Sequence, residues 1–269
     1  MTQNSPLILI TNDDGLMSPG LLAAAEAVVD LGELLLVAPK EQQTSMSHAL
    51  PKGKTIGSIE QVEVQVAGRA VKGFAVDGSP AQAVSHAVLE LADRKPDLCV
   101  SGINYGENLG LGLSISGTVG AAFEADAYDI PAIAVSLEAD LSVQHSSEYP
   151  TLNWASAKFF TRLTARQILA EGLTDGVSVI NLNVPHDATK DTLAVQTRQS
   201  RQQYFVFVRP EPRDRSTPFK FSVDIEVDLE RLEPDSDIQA LVYDRRVSVT
   251  PLTWDMTANS PWRIDWSHN

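Results

Sequence analysis

The chain has 269 residues, 43% apolar and 21% charged, an ordinary globular balance that speaks against disordered and fibrous classes. Lys and Arg total 21 against 35 Asp and Glu, giving a formal charge of −14 and a pI near 4.7. This balance argues against a nucleic-acid polymer gripped by a broad basic face, and against an anionic membrane surface.

A small anionic substrate would need a local positive charge to reverse the field. The single cysteine, Cys99, excludes an intrachain disulfide. Met1 to Pro6 carries no basic segment followed by a long apolar one, and no run of about 18 apolar residues occurs. Neither a signal peptide nor a membrane span is therefore expected, and the cytoplasm is the expected compartment.

Leu7 to Thr11 is a short continuous apolar run, as expected of a strand buried on both faces. It ends in Asn12-Asp13-Asp14-Gly15. Ser18-Pro19 then reads as an N-cap and a first-turn proline, followed by a helical stripe through Leu21, Ala25, Val28 and Val29. Leu34 to Ala38 is the next buried strand. Ser79-Pro80-Ala81-Gln82 has capping-box spacing and opens a second helix with Val84, Ala87, Val88 and Leu91 on one face. Strands follow at Asp97 to Val100 and Pro131 to Ser136, with a helix from Gly117 to Ala127 between them.

Asn153 to Leu169 is expected to be a helix and Val177 to Val184 a strand. Beyond that, Leu193 to Gln199, Gln203 to Val208 and Lys220 to Asp228 look like strands without helices between them. Ile238 to Tyr243 reads as a short helix and Val247 to Thr250 as a strand. The alternation predicts an α/β fold with a doubly wound, mostly parallel sheet, Rossmann-like in layout. Residues 1–190 form the catalytic α/β domain in this reading. Residues 191–269 form a β-hairpin arm and C-terminal segment that packs on the core or on a partner subunit. Three of the four tryptophans, Trp254, Trp262 and Trp266, lie near the C-terminus.

In open α/β sheets, ligands bind at the C-terminal ends of strands near a switch in strand order. Asp13 and Asp14 lie at such an end. Paired carboxylates resist joint ionisation unless a cation neutralises them, and a hard divalent ion with oxygen ligands suits them. Asn12 and Asp13 could equally just shape a turn. The run Ser101 to Gly110 is rich in glycine and offers Asn104. Ser114-Ile115-Ser116-Gly117-Thr118 enters a helix, where hydroxyls and free N–H groups make an anion site or simply a cap. Gln42 to His48 adds hydroxyls from another strand end. No Walker pattern, dinucleotide fingerprint, zinc-type histidine spacing or nucleophile elbow is present. His86 reads as an ordinary helical histidine, and Cys99 as a buried small hydrophobe.

Taken in order and spacing, these pieces resemble one family. Asn12-Asp13-Asp14-Gly15, Val37-Ala38-Pro39, Gly78-Ser79-Pro80, Ser101-Gly102-Ile103-Asn104, Ser116-Gly117-Thr118-Val119 and Asn181-Leu182-Asn183-Val184-Pro185 are similar to the SurE family, survival proteins that act as nucleoside monophosphate phosphatases. The resemblance implies one divalent ion, Mg²⁺ or Mn²⁺, held by Asp13, Asp14, Asn104 and a hydroxyl at Thr44, with Ser45 adjacent. It implies an arm used in homodimers or homotetramers. It also brings Asp255 forward as a helper.

The expected chemistry is metal-assisted hydrolysis of a phosphate monoester, 5′ first and 3′ as a second class. Asp13, Asp14, Asn12 and Asn104 are the expected catalytic residues. Ser114, Ser116, Gly117 and Thr118 are expected to cradle the phosphate. A covalent route through Asp13 or Asp14 is the alternative to attack by water. A non-catalytic nucleotide sensor and a polyphosphate-degrading enzyme are the rival readings.

Overall fold

The computed structural model describes residues 5–144, 149 and 151–258. In chain order the elements are β1 (Leu7–Thr11), α1 (Pro19–Val28), β2 (Glu33–Pro39), β3 (Ile59–Val66), β4 (Arg69–Val76), α2 (Pro80–His86), β5 (Leu98–Tyr105), α3 (Gly117–Ala127), β6 (Ala132–Leu137), α4 (Leu141–Gln144), α5 (Ala155–Glu171), β7 (Val179–Val184), β8 (Ala194–Gln196), β9 (Phe205–Phe207), β10 (Val223–Ile225) and β11 (Val247–Leu252). Single helical turns lie at Ala87–Leu91, Gly110–Ser114 and Gln239–Tyr243.

Nine strands form one sheet in the order β3-β4-β2-β1-β5-β6-β7-β11-β8. From β4 to β7 every neighbouring pair is parallel, while β3 and β11 run antiparallel to β4 and β7. The chain builds outward from β1 through β2 to β4. It then returns through α2 to place β5 on the other side of β1. That reversal makes the C-terminal ends of β1 and β5 the switch point where this kind of sheet opens a crevice.

Strand side chains alternate faces, and the central strands feed two cores. Ile8, Ile10, Val100, Ile133 and Val135 pack with α1 and α5. Leu9, Cys99, Ala132 and Ala134 pack with α2 and α3. Burial on both faces is why these strands read as continuous apolar runs. The helix starts are local chemistry. Ser18 Oγ accepts from Leu21 N–H with Pro19 in the first turn, Ser79 and Gln82 complete a capping box, and Ser116 Oγ accepts from Val119 N–H.

The structure differs from the sequence reading in three places. Residues 59–76, left without an element, form the β3–β4 hairpin, whose eight residue pairs run from Ile59↔Val76 to Val66↔Arg69. The strand expected to stop at Val100 continues to Tyr105, so Ser101 and Asn104 are strand residues with a register shift against β6 between them. After residue 190 the chain returns to the main sheet through β8 and β11, and β9–β10 alone forms a separate hairpin. That hairpin rests on a small core of Leu109, Tyr204, Ile238 and Leu241.

Trp254 lies on its own domain, 4.7 Å from the Phe123 ring and donating to Asp126 Oδ2 at 2.7 Å. Trp262, Trp266, His145 and His268 lie outside the described residues. No helix among the described residues is long and apolar enough to cross a membrane.

Candidate active site

At the switch point a cavity of about 370 Å³ opens beside β1 and β5. Asp13, Thr44, Asn104, Ser114, Ser116 and Gly117 line one part of it. Leu109, Leu111, Ile115, Phe205, Phe207 and Val223 form an apolar part. Four separate strand ends or loops and the β9–β10 hairpin thus meet in one space.

Asp13 and Asp14 are 4% and 2% exposed. Asp13 Oδ1 accepts the Thr118 hydroxyl at 2.6 Å, and Asp14 Oδ1 accepts the Gln42 amide at 3.2 Å. Asp14 Oδ2 is buried without a partner among the described residues. Burial pushes the Asp13 carboxyl up to about 6, against the hydrogen bond from Thr118. Burial and repulsion from Asp13 hold Asp14 well above the carboxylate range. Among the described residues no basic side chain acts on either. Two buried carboxylates without a cation, one with an orphaned oxygen, are a donor set that suits a hard divalent ion.

Asn104 donates its amide to the Gly106 carbonyl at 2.8 Å, which leaves its side-chain oxygen toward the cavity as a further oxygen donor. Thr44 and Ser45 are both exposed at the rim, and Ser45 has φ +63°. Their loop is fixed from behind. Gln43 N–H donates to the Asp13 carbonyl at 2.6 Å, and the Ser47 hydroxyl to the Ser114 carbonyl at 2.9 Å. His48 pairs with Glu124 of α3, which raises the histidine and lowers the carboxyl.

The N-terminus of α3 faces the same space. Gly117 and Thr118 stand in the first turn, where backbone N–H groups have no intrahelical acceptor. Gly117 is packed on Asp13: a Cβ there would lie 2.7 Å from Asp13 Oδ2. The first turn of α3 and the Asp13 carboxylate are therefore in direct contact.

Four expected residues are absent from the cavity lining. Asn12 does not line the cavity. Its amide donates to Gly15 O and Ser18 Oγ, and its oxygen accepts from Gly15 N–H, so it builds the turn that aims Asp13 and Asp14. The Thr118 hydroxyl is given to Asp13, which leaves its backbone N–H for an anion. Asp14 stands behind Asp13 and is absent from the cavity wall. Asp255, too, is exposed and accepts from Thr257 N–H in its own turn, away from the cavity.

Glu107 is a wall residue that sequence reasoning missed. It is 3% exposed, and burial pushes it up to about 7, with Glu138 adding repulsion. A lone glutamate in a glycine-rich run looks like a solvated charge, so no local signal marks it.

A second acidic group lies at the ends of β6 and β7. Glu138, His186 and Asp187 are close enough to hold an ion. Arg245 fills that place instead, with both its terminal nitrogens on Glu138 at 2.7 and 2.6 Å and one on Asp187 at 2.6 Å.

Comparison with known proteins agrees with this geometry. The family model described as Survival protein SurE matches residues 8–206. A protein of Thermococcus gammatolerans named 5′-nucleotidase SurE is 39% identical over 93% of this chain and 91% of its own. A protein of the same name from Methanocella arvoryzae is 40% identical over 93% of each chain. The crystal structure of the SurE protein from Aquifex aeolicus superposes with a TM-score of 0.71 at 28% identity, covering 94% of this chain and 95% of that one. The switch-point cavity and the near full-length similarity lead to one conclusion: this chain belongs to the SurE family.

Proposed function

We propose that the protein is a divalent-metal-dependent phosphoric monoester hydrolase that acts on nucleoside monophosphates as a 5′-nucleotidase, with 3′ esters as a second class. The observation that carries this reading is the cavity that joins the buried Asp13 carboxylate, next to the orphaned Asp14 oxygen, and a helix N-terminus to an apolar wall. A phosphate ester has both needs, a charged end and an organic end.

Asp13, Asp14, Asn104 and Thr44 would hold the ion, Mg²⁺ or Mn²⁺, with Ser45 as the neighbouring hydroxyl. When bound, it supplies Lewis acidity and neutralises phosphate charge. The N–H groups of Gly117 and Thr118 and the hydroxyls of Ser114 and Ser116 would receive phosphate oxygens. Thr118 also holds Asp13 in place through its hydroxyl. Phe205, Phe207, Leu111 and Ile115 would cover the nucleoside and exclude water. Water is the nucleophile in this reading, since the D-x-D-x-[TV] pattern of aspartyl-phosphate phosphatases is absent.

The β9–β10 hairpin carries exposed Phe207, Phe219, Phe221 and Ile225, a face suited to a second copy of the chain in a homodimer or homotetramer. A cytoplasmic location agrees with a free, buried Cys99.

Phosphate release from adenosine 5′-monophosphate and p-nitrophenyl phosphate, with Mg²⁺, Mn²⁺ or EDTA, tests the reading. Turnover that EDTA abolishes and Mn²⁺ restores is expected. Absence of metal-dependent turnover would instead favour a nucleotide sensor. A phospho-enzyme trapped on either aspartate would overturn attack by water, and faster cleavage of polyphosphate than of nucleotides would overturn the substrate class.

A further inference from the structure

The chemistry above leaves Glu107 unused, although it shares the cavity with Asn104. Its described hydrogen-bond neighbours all donate. The Gln144 amide reaches Glu107 Oε2 at 3.3 Å, the Ala139 N–H reaches it at 3.4 Å, and the Tyr204 hydroxyl bonds to the carboxylate. A carboxylate ringed by donors is set to accept, and its two oxygens have about four lone-pair sites between them. Burial pushes the group up to about 7, so the accepting carboxylate is the form that prevails above that pH. The fit is tight: Gly106 has φ +103°, and a Cβ there would collide with Gln144.

The position along the cavity is also defined. Glu107 follows Asn104 by three residues, at most about 10 Å of chain. On its other side, its partner Tyr204 directly precedes Phe205 of the apolar wall. Glu107 thus neighbours Asn104 along the chain and, through Tyr204, the apolar wall. A nucleotide laid along the cavity places its sugar there. Glu138, the other carboxylate acting on Glu107, is neutralised by Arg245 and is not a competing acceptor.

We propose that Glu107 is a specificity-determining residue that reads the sugar, its carboxylate accepting a hydrogen bond from a ribose hydroxyl, so that the enzyme prefers ribonucleotides. Gln144 and Tyr204 are positioning residues that hold the carboxylate. This inference rests on the nucleotidase reading. An acidic side chain on a ribose hydroxyl is a recurrent solution in nucleotide sites.

The test compares adenosine 5′-monophosphate with its 2′-deoxy and 3′-deoxy analogues and with p-nitrophenyl phosphate, which has no sugar. In the unmodified protein, kcat/KM for the ribonucleotide should exceed that of at least one deoxy analogue by about tenfold or more. Glu107→Gln turns its carbonyl toward the three donors and an NH₂ toward the sugar. That preference should then fall several-fold, and turnover of the ribonucleotide should fall relative to p-nitrophenyl phosphate. Equal turnover of all three nucleotides by the unmodified protein overturns the assignment without any variant. So does an unchanged preference in Glu107→Gln, or an equal loss on all four substrates. Loss of every nucleotide reaction with p-nitrophenyl phosphate still hydrolysed by the unmodified protein would overturn both this assignment and the nucleotidase reading.

Discussion

Asp13 and Asp14 follow β1, while Glu138 and Asp187 follow β6 and β7, so both acidic groups stand at the same end of the sheet. Arg245 lies across Glu138 and Asp187. Burial works to raise Glu138, but the hydrogen bonds from Arg245 and His186 hold it below the usual range. Asp187 is lowered by its hydrogen bond from Arg245. Asp13 and Asp14 are more deeply buried, have no cation, and are both raised. The same residue types thus serve opposite ends. One group is closed by the chain itself and fastens β6, β7 and β11 together. The other is left open at a cost in stability, which is how a binding site differs from a structural ion pair.

The largest break of that contrast is Asp13→Asn. Activity with Mn²⁺ should fall by about a thousandfold or more, since a ligand charge is lost. The metal-free protein should become more stable by about 1–3 kcal/mol at pH 7.5, because a buried carboxyl raised to about 6 no longer has to ionise. Phosphate release and thermal unfolding in EDTA measure the two effects, and a variant that keeps near-normal turnover would remove Asp13 from the site.

Gly117→Ala comes next. Its Cβ would meet Asp13 Cβ at 2.6 Å and Oδ2 at 2.7 Å, so the displaced carboxylate should lower kcat/KM about a hundredfold and the overpacking should cost about 1–3 kcal/mol of stability.

Arg245→Met tests the closed group. It should destabilise by about 1–2 kcal/mol at pH 7, less than for a fully buried pair, since the Arg245 side chain is 32% exposed. Glu138 and Asp187 are both lowered in the fold. The stability they contribute is present above their unfolded values near 4 and is lost as pH falls through the lowered ones. The deficit of Arg245→Met should therefore shrink in acid, as urea titrations between pH 7 and pH 3 would show.

The open group predicts a milder pH effect. Protons compete with the ion for both raised carboxyls, so Mn²⁺ affinity should weaken by about tenfold or more per pH unit below 6 and, with Asp14 held well up, keep rising above it. An affinity that is flat from pH 5 to pH 8 would count against Asp13 as a ligand.

Local signals carried much of the fold. Ser18 with Pro19, Ser79 with Gln82, and the start of α3 at Gly117 are legible because a cap and the N–H it accepts from lie within four residues. The β3–β4 hairpin had a period-two pattern from Ile59 to Val66, but its many Glu and Gln side chains hid it. The insertion of β11 beside β7 has no local mark, because strand pairing is decided by partners far away in sequence. The same holds at the site. Asp13, Asp14 and Asn104 stand out as short motifs, and Thr44 enters only through family resemblance. The Thr118 hydroxyl on Asp13 spans 105 positions, and the burial of Glu107 depends on Gln144 and Tyr204. Neither could be read locally.

The strand order β7-β11-β8 has a consequence for how the molecule is made. β8 pairs with β11 alone, and β11 ends at Leu252. A chain leaving the ribosome from its N-terminus presents Asp13, Thr44 and Asn104 long before the strand that completes the sheet exists. Trp254, which lies edge-on to His48 at 5.7 Å behind the Thr44 loop, emerges later still. The hydrolytic centre is therefore encoded early and braced last, so that a nascent or truncated chain holds the chemical groups without the frame that aligns them.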